Sequence, residues 1–215
     1  MINKFGITLF ICLSSILFSF SQTKKSVSTK KTAENISIDA ELNEESWKNA
    51  EIATDFVSLE PKNGTPIPEE FKTEVKILYS DDAIYIGAAL YDPNPEKILK
   101  ELVERDNIGT SDFFGVFING YNDGQQEFRF FVTAANGQID TNFTSSEGED
   151  GSWNAIWESN AKITDFGYVV EMKIPYAALR FPEQEQQTWG LNFFREVRRE
   201  RQKYTWSPID NKIGA

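Results

Sequence analysis

The chain has 215 residues, a formal net charge of −11 and no histidine. A negative field of this size repels phosphate backbones, so we expect no nucleic-acid partner. The lack of histidine excludes histidine-based catalytic triads and histidine-ligated haem.

The N-terminal residues have the pattern of a secretory signal peptide. Lys4 supplies a short positive region, residues 5–20 are almost wholly apolar, and small residues precede Gln22. We therefore expect cleavage after residue 21 and export to the periplasm, the outer membrane or the cell surface. Cleavage removes Cys12, the single cysteine, so the mature domain is expected to fold without an intramolecular disulfide.

Residues 22–34 are rich in serine, threonine and lysine, which predicts a flexible linker ahead of a single domain over residues 35–215. Within the domain, a short helix is expected over residues 43–50, with Asn43 as its N-cap. A second short helix is expected over residues 96–103. Both are too short to form a helical layer, so we expect the helices to be peripheral.

The rest of the domain is dominated by strand patterns. Alternating or continuously apolar runs are separated by turn signals at about the 8–12-residue spacing of an antiparallel sandwich. We predict an all-β fold, an antiparallel β-sandwich with short peripheral helices. The chain stops at residues 211–215, just after its last predicted strand, which predicts truncation of a longer protein at the C-terminus. The predicted strands are residues 74–79, 83–91, 113–118, 127–133, 156–163, 168–174, 189–197 and 203–206.

Several segments resemble family 9 carbohydrate-binding modules. Residues 38–50 (IDAELNEESWKNA) are similar to the opening motif of these modules, in which Ile-Asp-Gly precedes an acidic stretch, a tryptophan and an alanine. Here Ala40 replaces the usual glycine. Residues 75–79 and 83–86 resemble the first core hairpin, and the resemblance continues to Trp206. It implies a jelly-roll-like β-sandwich.

The segment at residues 153–158 (WNAIWE) makes the resemblance more particular. It is similar to the N-terminal module of large exported bacterial proteins whose C-terminal region is barrel-like. The resemblance therefore implies a polysaccharide or oligosaccharide partner, together with a C-terminal barrel domain or an outer-membrane partner. It also implies structural calcium, which related modules bind.

The resemblance also implies where a sugar would bind. In the sugar-binding members an arginine on the central strand contacts the ligand, and Arg129 occupies that position. A stacking tryptophan precedes the strand aspartate, here Asp112, by three positions, and an acidic ligand contact follows it by three. In this chain those positions are Gly109 and Gly115. We call the tryptophan and acidic side chains that hold the sugar in those members the sugar clamp. The resemblance therefore supports the fold better than it supports a sugar clamp in this chain.

Strand alternation places Arg129 on the same face as Glu127. A planar guanidinium at this position would grip sugar hydroxyls. The alternative is a cross-strand ion pair with Glu127 or Glu171. Asn192, within the predicted strand at residues 189–197, is a further candidate for ligand binding.

Trp153 and Trp157 lie four residues apart beside an acidic, glycine-rich loop. In a strand, residues i and i+4 share a face, so the two indoles would form a stacking platform for a sugar ring. The alternative is that Trp157 belongs to the core and that Trp153 anchors a loop.

Carboxylates cluster in several loops, and Asp112 at a strand start is the candidate calcium ligand. None of these clusters has the spacing of a recognised calcium loop, and solvated turn acids are the alternative. The basic run at residues 195–201 predicts a strand edge that pairs with surface carboxylates.

Three functions follow from these patterns. The first is a non-catalytic carbohydrate-binding module of an exported bacterial protein, linked to carbohydrate catabolism. The second is a docking domain, without sugar binding, for an outer-membrane-associated barrel. The third and weakest is hydrolysis of O-glycosyl compounds, for which no pair of carboxylates is singled out. Such activity would belong to an attached or partner domain.

Overall fold

The structure, a computed structural model, describes residues 25–210. The predicted signal peptide and the residues at which the chain stops lie outside this range. The one α-helix of the described chain, α1, spans Glu45–Lys48. No helix of this part of the chain is long and apolar enough to cross a membrane. Short 3-10 turns occur at Glu69–Phe71, Pro95–Lys97, Tyr176–Ala178 and Arg198–Glu200.

Residues 25–210 form thirteen strands, which are the dominant regular structure. In chain order they are β1 (Lys30–Lys31), β2 (Ile52–Ala53), β3 (Val57–Glu60), β4 (Thr73–Tyr79), β5 (Ala83–Tyr91), β6 (Phe113–Asn119), β7 (Gln126–Thr133), β8 (Gln138–Thr144), β9 (Gly148–Asp150), β10 (Glu158–Ile163), β11 (Gly167–Pro175), β12 (Gly190–Val197) and β13 (Gln202–Thr205).

The strands form two sheets. The six-stranded sheet has the order β1-β4-β5-β11-β10, with β2 also paired to β4. The seven-stranded sheet has the order β3-β13-β12-β6-β7-β8-β9. All of these pairs are antiparallel except β1 with β4, which is parallel. The predicted all-β sandwich is confirmed.

The core between the sheets is built by strand alternation. Every second residue of a strand points inward, so β6 contributes Phe114, Val116 and Ile118, while β11 contributes Val170 and Met172. All five are fully buried. Burying one such side chain stabilises a fold by about 1.5–3 kcal/mol, which makes this inner layer the main source of cohesion.

The outer face of the six-stranded sheet is covered by the chain that precedes β2. Trp47 of α1 is fully buried there, in a second apolar cluster with residues of β4 and β5. Its indole lies against Gly87, where an added Cβ would come within 3.2 Å of the Trp47 ring and 2.6 Å of Leu42. Glycine at this position therefore lets the helix approach the sheet closely.

A buried carboxylate fixes this cover. Glu171, on the same outer face in β11, accepts hydrogen bonds from the backbone N–H groups of Asp39 (3.0 Å) and Ala40 (2.7 Å). It also accepts one from Trp47 Nε1 at 3.1 Å. Burial raises the pKa of Glu171 to about 7, although the two backbone donors act to lower it. The opening motif is thus tied to the sheet through one side chain.

The N-terminal boundary differs from the sequence prediction. Within the predicted linker, Lys30 and Lys31 form β1 and pair with Leu78 and Tyr79 of β4. The backbone N–H of Thr32 also donates to the carbonyl of Tyr79 at 2.8 Å. The sheet therefore begins before residue 35, because an unpaired edge of β4 can bond a polar segment through its backbone alone.

The predicted helices are shorter in the structure. Helix α1 begins at Glu45, and its N-cap position is Glu44, without a side-chain cap. Asn43 instead donates a side-chain hydrogen bond to Glu41. In the region predicted as a second helix, only Pro95–Lys97 is helical, as a 3-10 turn.

Ala40 provides a test of backbone strain. Its φ is +61°, in the left-handed region, at the position where the resembling modules have glycine. We expect Ala40→Gly to raise the free energy of unfolding by about 0.5–1 kcal/mol, measured by denaturant titration. As a control, Ala89→Gly, at a partly exposed position in β5, should lower it by a similar amount. Destabilisation by Ala40→Gly would contradict the proposed strain.

Substitution of Glu171 tests whether this side chain holds the N-terminal segment on the outer face of the six-stranded sheet. In Glu171→Gln an amide NH2 replaces one acceptor, so at least one of the three donors loses its partner in a buried site. We expect a loss of about 1–3 kcal/mol in the free energy of unfolding. Glu158→Gln, at an exposed position of β10, should change it by less than about 0.5 kcal/mol. Equal effects of the two substitutions would show that Glu171 does not hold the cover.

Candidate functional site

The outer face of the seven-stranded sheet carries a cluster of phenylalanine rings, which we call the aromatic face. It consists of Phe113 and Phe117 from β6, Phe131 from β7 and Phe194 from β12. Neighbouring ring centroids lie 5.4–6.2 Å apart, in stacked and edge-on pairs. Phe117, Phe131 and Phe194 are partly exposed, so the face presents apolar ring surface to solvent.

Gly115 lies beneath this face. An added Cβ would stand 2.4 Å from Cδ1 of Phe131, so the Phe131 ring occupies the space that a side chain at this position would need. A residue with a side chain here would displace the ring. The aromatic face therefore depends on glycine at this point of β6.

Arg129 lies at one side of the aromatic face, between two rings. Its guanidinium carbon is 4.9 Å from the centroid of Phe117 and 4.4 Å from that of Phe143, which is in β8. Nε and Nη2 donate to the Glu127 carboxylate at 3.1 and 3.0 Å, and Nη1 donates to Glu149 at 3.4 Å. The side chain is 19% exposed. These contacts hold the guanidinium plane in one orientation, and cation–π attraction adds to the ion pairs.

The charge of Arg129 is compensated by carboxylates of two strands. Glu127 precedes it in β7, and Glu149 is in the edge strand β9 and also accepts a 2.7 Å hydrogen bond from the Thr141 hydroxyl. An ion pair with Glu127 was one alternative drawn from the sequence, but it forms within β7, and the cross-strand partner is Glu149. Pairing with Glu171 does not occur, because that residue faces the opposite side of the molecule.

A shallow cleft of about 270 Å³ adjoins Arg129. Phe117, Glu127 and Asn192 line it. The Asn192 amide donates to the carbonyl of Ser207 at 3.1 Å and accepts from the Ser207 N–H at 2.8 Å. Asn192 therefore ties β12 to the segment after β13 and fixes the wall of the cleft. The structure thus brings together three of the five predicted ligand-binding residues, Glu127, Arg129 and Asn192.

The two predicted stacking tryptophans lie elsewhere. Trp157 is 5% exposed, and its ring packs against Phe130 in the core at a centroid distance of 5.3 Å. The Trp153 ring lies 5.1 Å from Phe128 and 5.9 Å from Phe130. Phe128 and Phe130 point to the inner side of β7, whereas Arg129 points outward. Trp153 is therefore on the opposite side of the sheet from Arg129.

A buried carboxylate explains why residues 153–157 are not a strand. Asp140 accepts hydrogen bonds from the backbone N–H of Ala155 at 2.6 Å, from Trp157 Nε1 at 3.1 Å and from the Arg105 guanidinium. Arg105 also donates to the carbonyl of Ala155 at 3.0 Å. These bonds replace a strand ladder, and β10 begins only at Glu158. The i, i+4 argument for a shared strand face was wrong for this reason.

Trp153 instead lines a groove of about 360 Å³ where the two sheets meet at one end of the sandwich. We call it the end groove. Its lining residues are Gln126, Phe128, Asn142, Trp153, Asn154, Ala155, Ile156, Ala177, Ala178 and Arg180.

Comparison with models of protein families identifies the family of this chain. The model of the family described as carbohydrate family 9 binding domain-like matches residues 38–206. The chain belongs to this family. Among curated protein sequences, none matches the chain.

Solved structures of family 9 modules have the same fold. A family 9 carbohydrate-binding module from Caldicellulosiruptor kristjanssonii in complex with glucose is 15% identical, with a TM-score of 0.56, covering 83% of this chain and 85% of its own. A family 9 module from the same organism in complex with cellotriose is 17% identical, with a TM-score of 0.54 and coverages of 82% and 80%. A candidate carbohydrate-binding protein from Bacteroides uniformis is 13% identical, with a TM-score of 0.53 and coverages of 73% and 78%.

This family 9 domain differs from the expected sugar clamp at both glycine positions. Gly109 has a φ of +56°, and an added Cβ would lie 2.6 Å from Glu101 Oε2 and 2.7 Å from Val103. A tryptophan cannot replace it without moving that loop. Gly115 lies under Phe131, as described above. The Phe131 ring of the aromatic face thus occupies the space of a side chain at position 115, whereas Glu101 and Val103 fill the space at position 109.

Asp112 is buried immediately before β6. In residues 25–210, no group of three or more histidine, cysteine or acidic side chains is placed to hold a metal ion. Oδ1 accepts the backbone N–H of Arg198 at 3.0 Å, and Oδ2 is buried without a partner. Burial raises the pKa of Asp112 to about 6, although the Arg198 bond and the charges of Arg195 and Arg199 lower it. Asp92 nearby raises it.

The basic run is not a surface edge. Arg195 is fully buried and donates to the carbonyls of Phe71 (2.6 Å) and Tyr91 (2.7 Å), which links the two sheets. Arg199 makes a two-point ion pair with the buried Asp92, with both distances 2.7 Å. Two of the arginines in this run therefore form hydrogen bonds and ion pairs inside the domain, where a guanidinium can donate to several acceptors at once.

Asp112 makes the stability of the fold depend on pH. Its folded pKa of about 6 lies above its ordinary value of 3.8, so it stabilises the fold fully below about pH 3.8, and this contribution is lost as the pH rises to 6. We expect Asp112→Asn to make the free energy of unfolding less dependent on pH between 4 and 6, measured by denaturant titration at each pH. Asp165→Asn, in an exposed turn, is the matched control and should leave the slope as in the parent. An unchanged slope in Asp112→Asn would contradict the assignment.

Proposed function

We propose that this chain is a non-catalytic module that binds a neutral oligosaccharide or polysaccharide at the aromatic face, in the cleft beside Arg129. The observation that carries this proposal is the guanidinium of Arg129, held between the rings of Phe117 and Phe143 by two carboxylates. Membership of the carbohydrate-binding family 9 supports it.

The chemistry of the cleft suits a polyol. Partly exposed rings offer apolar contact to the CH-rich face of a pyranose. Arg129 uses three of its five N–H groups on Glu127 and Glu149, so two remain for sugar hydroxyls, and the carboxylates can accept from hydroxyls. Because the positive charge is already balanced, a neutral ligand fits better than an anionic one. The relatives bound to glucose and cellotriose are consistent with this class of ligand.

We do not propose hydrolysis by this chain. Glycoside hydrolysis needs one carboxyl group that donates a proton and a second one across the scissile bond, about 5–10 Å away. At the aromatic face, Glu127 and Glu149 both form ion pairs with the guanidinium of Arg129. Any hydrolase activity would come from an attached or partner domain.

We further propose that the module acts outside the cytoplasm, as part of an exported bacterial protein that takes part in carbohydrate catabolism. The signal-peptide pattern of residues 1–21 supports export. In this setting the module would hold a polysaccharide close to the domain or partner that degrades or transports it.

A second candidate is docking to a C-terminal barrel domain or an outer-membrane partner. The observation that favours it is the loss of both clamp side chains at Gly109 and Gly115, together with the apolar rings that cover Gly115. A flat, partly exposed apolar face is typical of a surface that contacts protein. The two candidates predict different results in a sugar titration.

The test is isothermal titration calorimetry of the processed chain with glucan, xylan and mannan oligosaccharides. We expect at least one to bind with a Kd in or below the millimolar range, and Arg129→Gln to weaken that binding about tenfold or more. Arg180→Gln, on the opposite side of the sheet, is the matched control and should bind the same oligosaccharide as the parent does. No heat with any oligosaccharide would reject sugar binding at this face and leave docking as the better explanation.

A further inference from the structure

The end groove contains an indole whose N–H has no partner. Trp47, Trp157 and Trp189 donate their indole N–H groups to Glu171, Asp140 and Gln187. In residues 25–210, Trp153 Nε1 donates to nothing, and the side chain is partly exposed. A tryptophan that packs its ring on Phe128 and leaves its donor free can bind a ligand through ring and donor together.

Two amides beside this indole are also only partly used. Gln126 Nε2 donates to Asn142 Oδ1 at 3.0 Å, and this bond fixes both side chains. Within the described chain, Gln126 Oε1 and Asn142 Nδ2 make no hydrogen bond. The groove therefore holds one free acceptor and one free amide donor close to a free indole donor, which is a set that can bind hydroxyl groups.

Arg180 lies at the mouth of the groove and has no carboxylate partner. Its Nη1 donates to the carbonyls of Ala177 and Leu179, at 3.3 and 2.8 Å, and the side chain is exposed. Among the described residues it forms no ion pair, and no aspartate or glutamate lines the groove. This differs from Arg129, whose charge is balanced by two carboxylates. The end groove thus has a net positive charge although the chain as a whole carries −11.

The wall of the groove is rigid and apolar. Ile156 is 92% exposed, although the residues on both sides of it are fixed by Asp140. A large aliphatic side chain held in water by a rigid segment gains free energy when a ligand covers it. The volume of about 360 Å³ is within the usual range of small-ligand sites, about 300–1,000 Å³.

We propose that the end groove is a second binding site, separate from the aromatic face, for a sugar residue that carries a carboxylate, such as a uronate. Arg180 pairs with the carboxylate, and Trp153 stacks on the ring and donates its N–H. Gln126 and Asn142 bind hydroxyls. A planar guanidinium and a carboxylate can form two parallel hydrogen bonds, which discriminates a uronate from the corresponding neutral sugar.

The experiment is an NMR titration of the tryptophan indole N–H signals. The signal of Trp153 is identified by its loss in Trp153→Phe. The probes are glucuronate and galacturonate, each with its neutral counterpart, glucose or galactose, which differs only at C6. We expect at least one uronate to shift the Trp153 signal in a saturable way, with an affinity about tenfold or more above that of its neutral counterpart. Arg180→Gln should abolish this preference.

Arg129→Gln is the matched control, because it alters the aromatic face and should leave the uronate titration unchanged. Failure of neutral oligosaccharides to bind at the aromatic face therefore does not affect this result. The proposal is overturned if the Trp153 signal does not move with either uronate up to about 10 mM, well above millimolar affinity. It is also overturned if uronate and neutral sugar shift the signal equally, or if Arg180→Gln binds the uronate as the parent does.

Discussion

The N-terminal segment that covers the outer face of the six-stranded sheet is held there by one buried carboxylate, Glu171. A carboxylate on the outer face of a sheet is normally solvated, but here it is fully buried and accepts three N–H groups from the opening motif. A charged or partly charged group cannot be left in such a site without partners. Trp47 and the residues around Ala40 must therefore stay on the six-stranded sheet. That face is closed by the chain itself, and the open sheet face of the sandwich is the one that carries Arg129.

Much of the fold could be predicted because the core strands have a simple pattern. In β5, β6 and β11, inward positions are apolar and the strand boundaries were predicted to within two residues. Strand β8 was missed after a correct turn signal at Asn136. Its sequence, QIDTNFT, places Asp140 and Asn142 on the inner side, so it has the composition of a loop. Tertiary hydrogen bonds to Asp140 compensate for that polarity, and they come from residues far away in the sequence.

For the candidate site, the sequence predicted only the contact between residues of one strand, β7. Alternation places Glu127 and Arg129 together, and the resemblance points to the arginine. The second ring and second carboxylate around Arg129, Phe143 and Glu149, come from the next two strands, and their register was not available from the sequence. Trp153 was assigned to the same site as Arg129 because nothing in the sequence gives the side of the sheet on which a loop indole packs.

The hairpin of β8 and β9 adds a dynamic property to the aromatic face. Strand β9 has three residues and forms one edge of its sheet, so it is paired on one side only. The ring of Phe143 and the carboxylate of Glu149 both belong to this hairpin. When the sheet edge opens locally, the guanidinium of Arg129 loses its clamp on that side. The free energy of opening this edge therefore contributes to ligand affinity, because the ligand site is complete only when the edge is closed. A bound molecule would slow amide exchange in β9, even without touching its backbone.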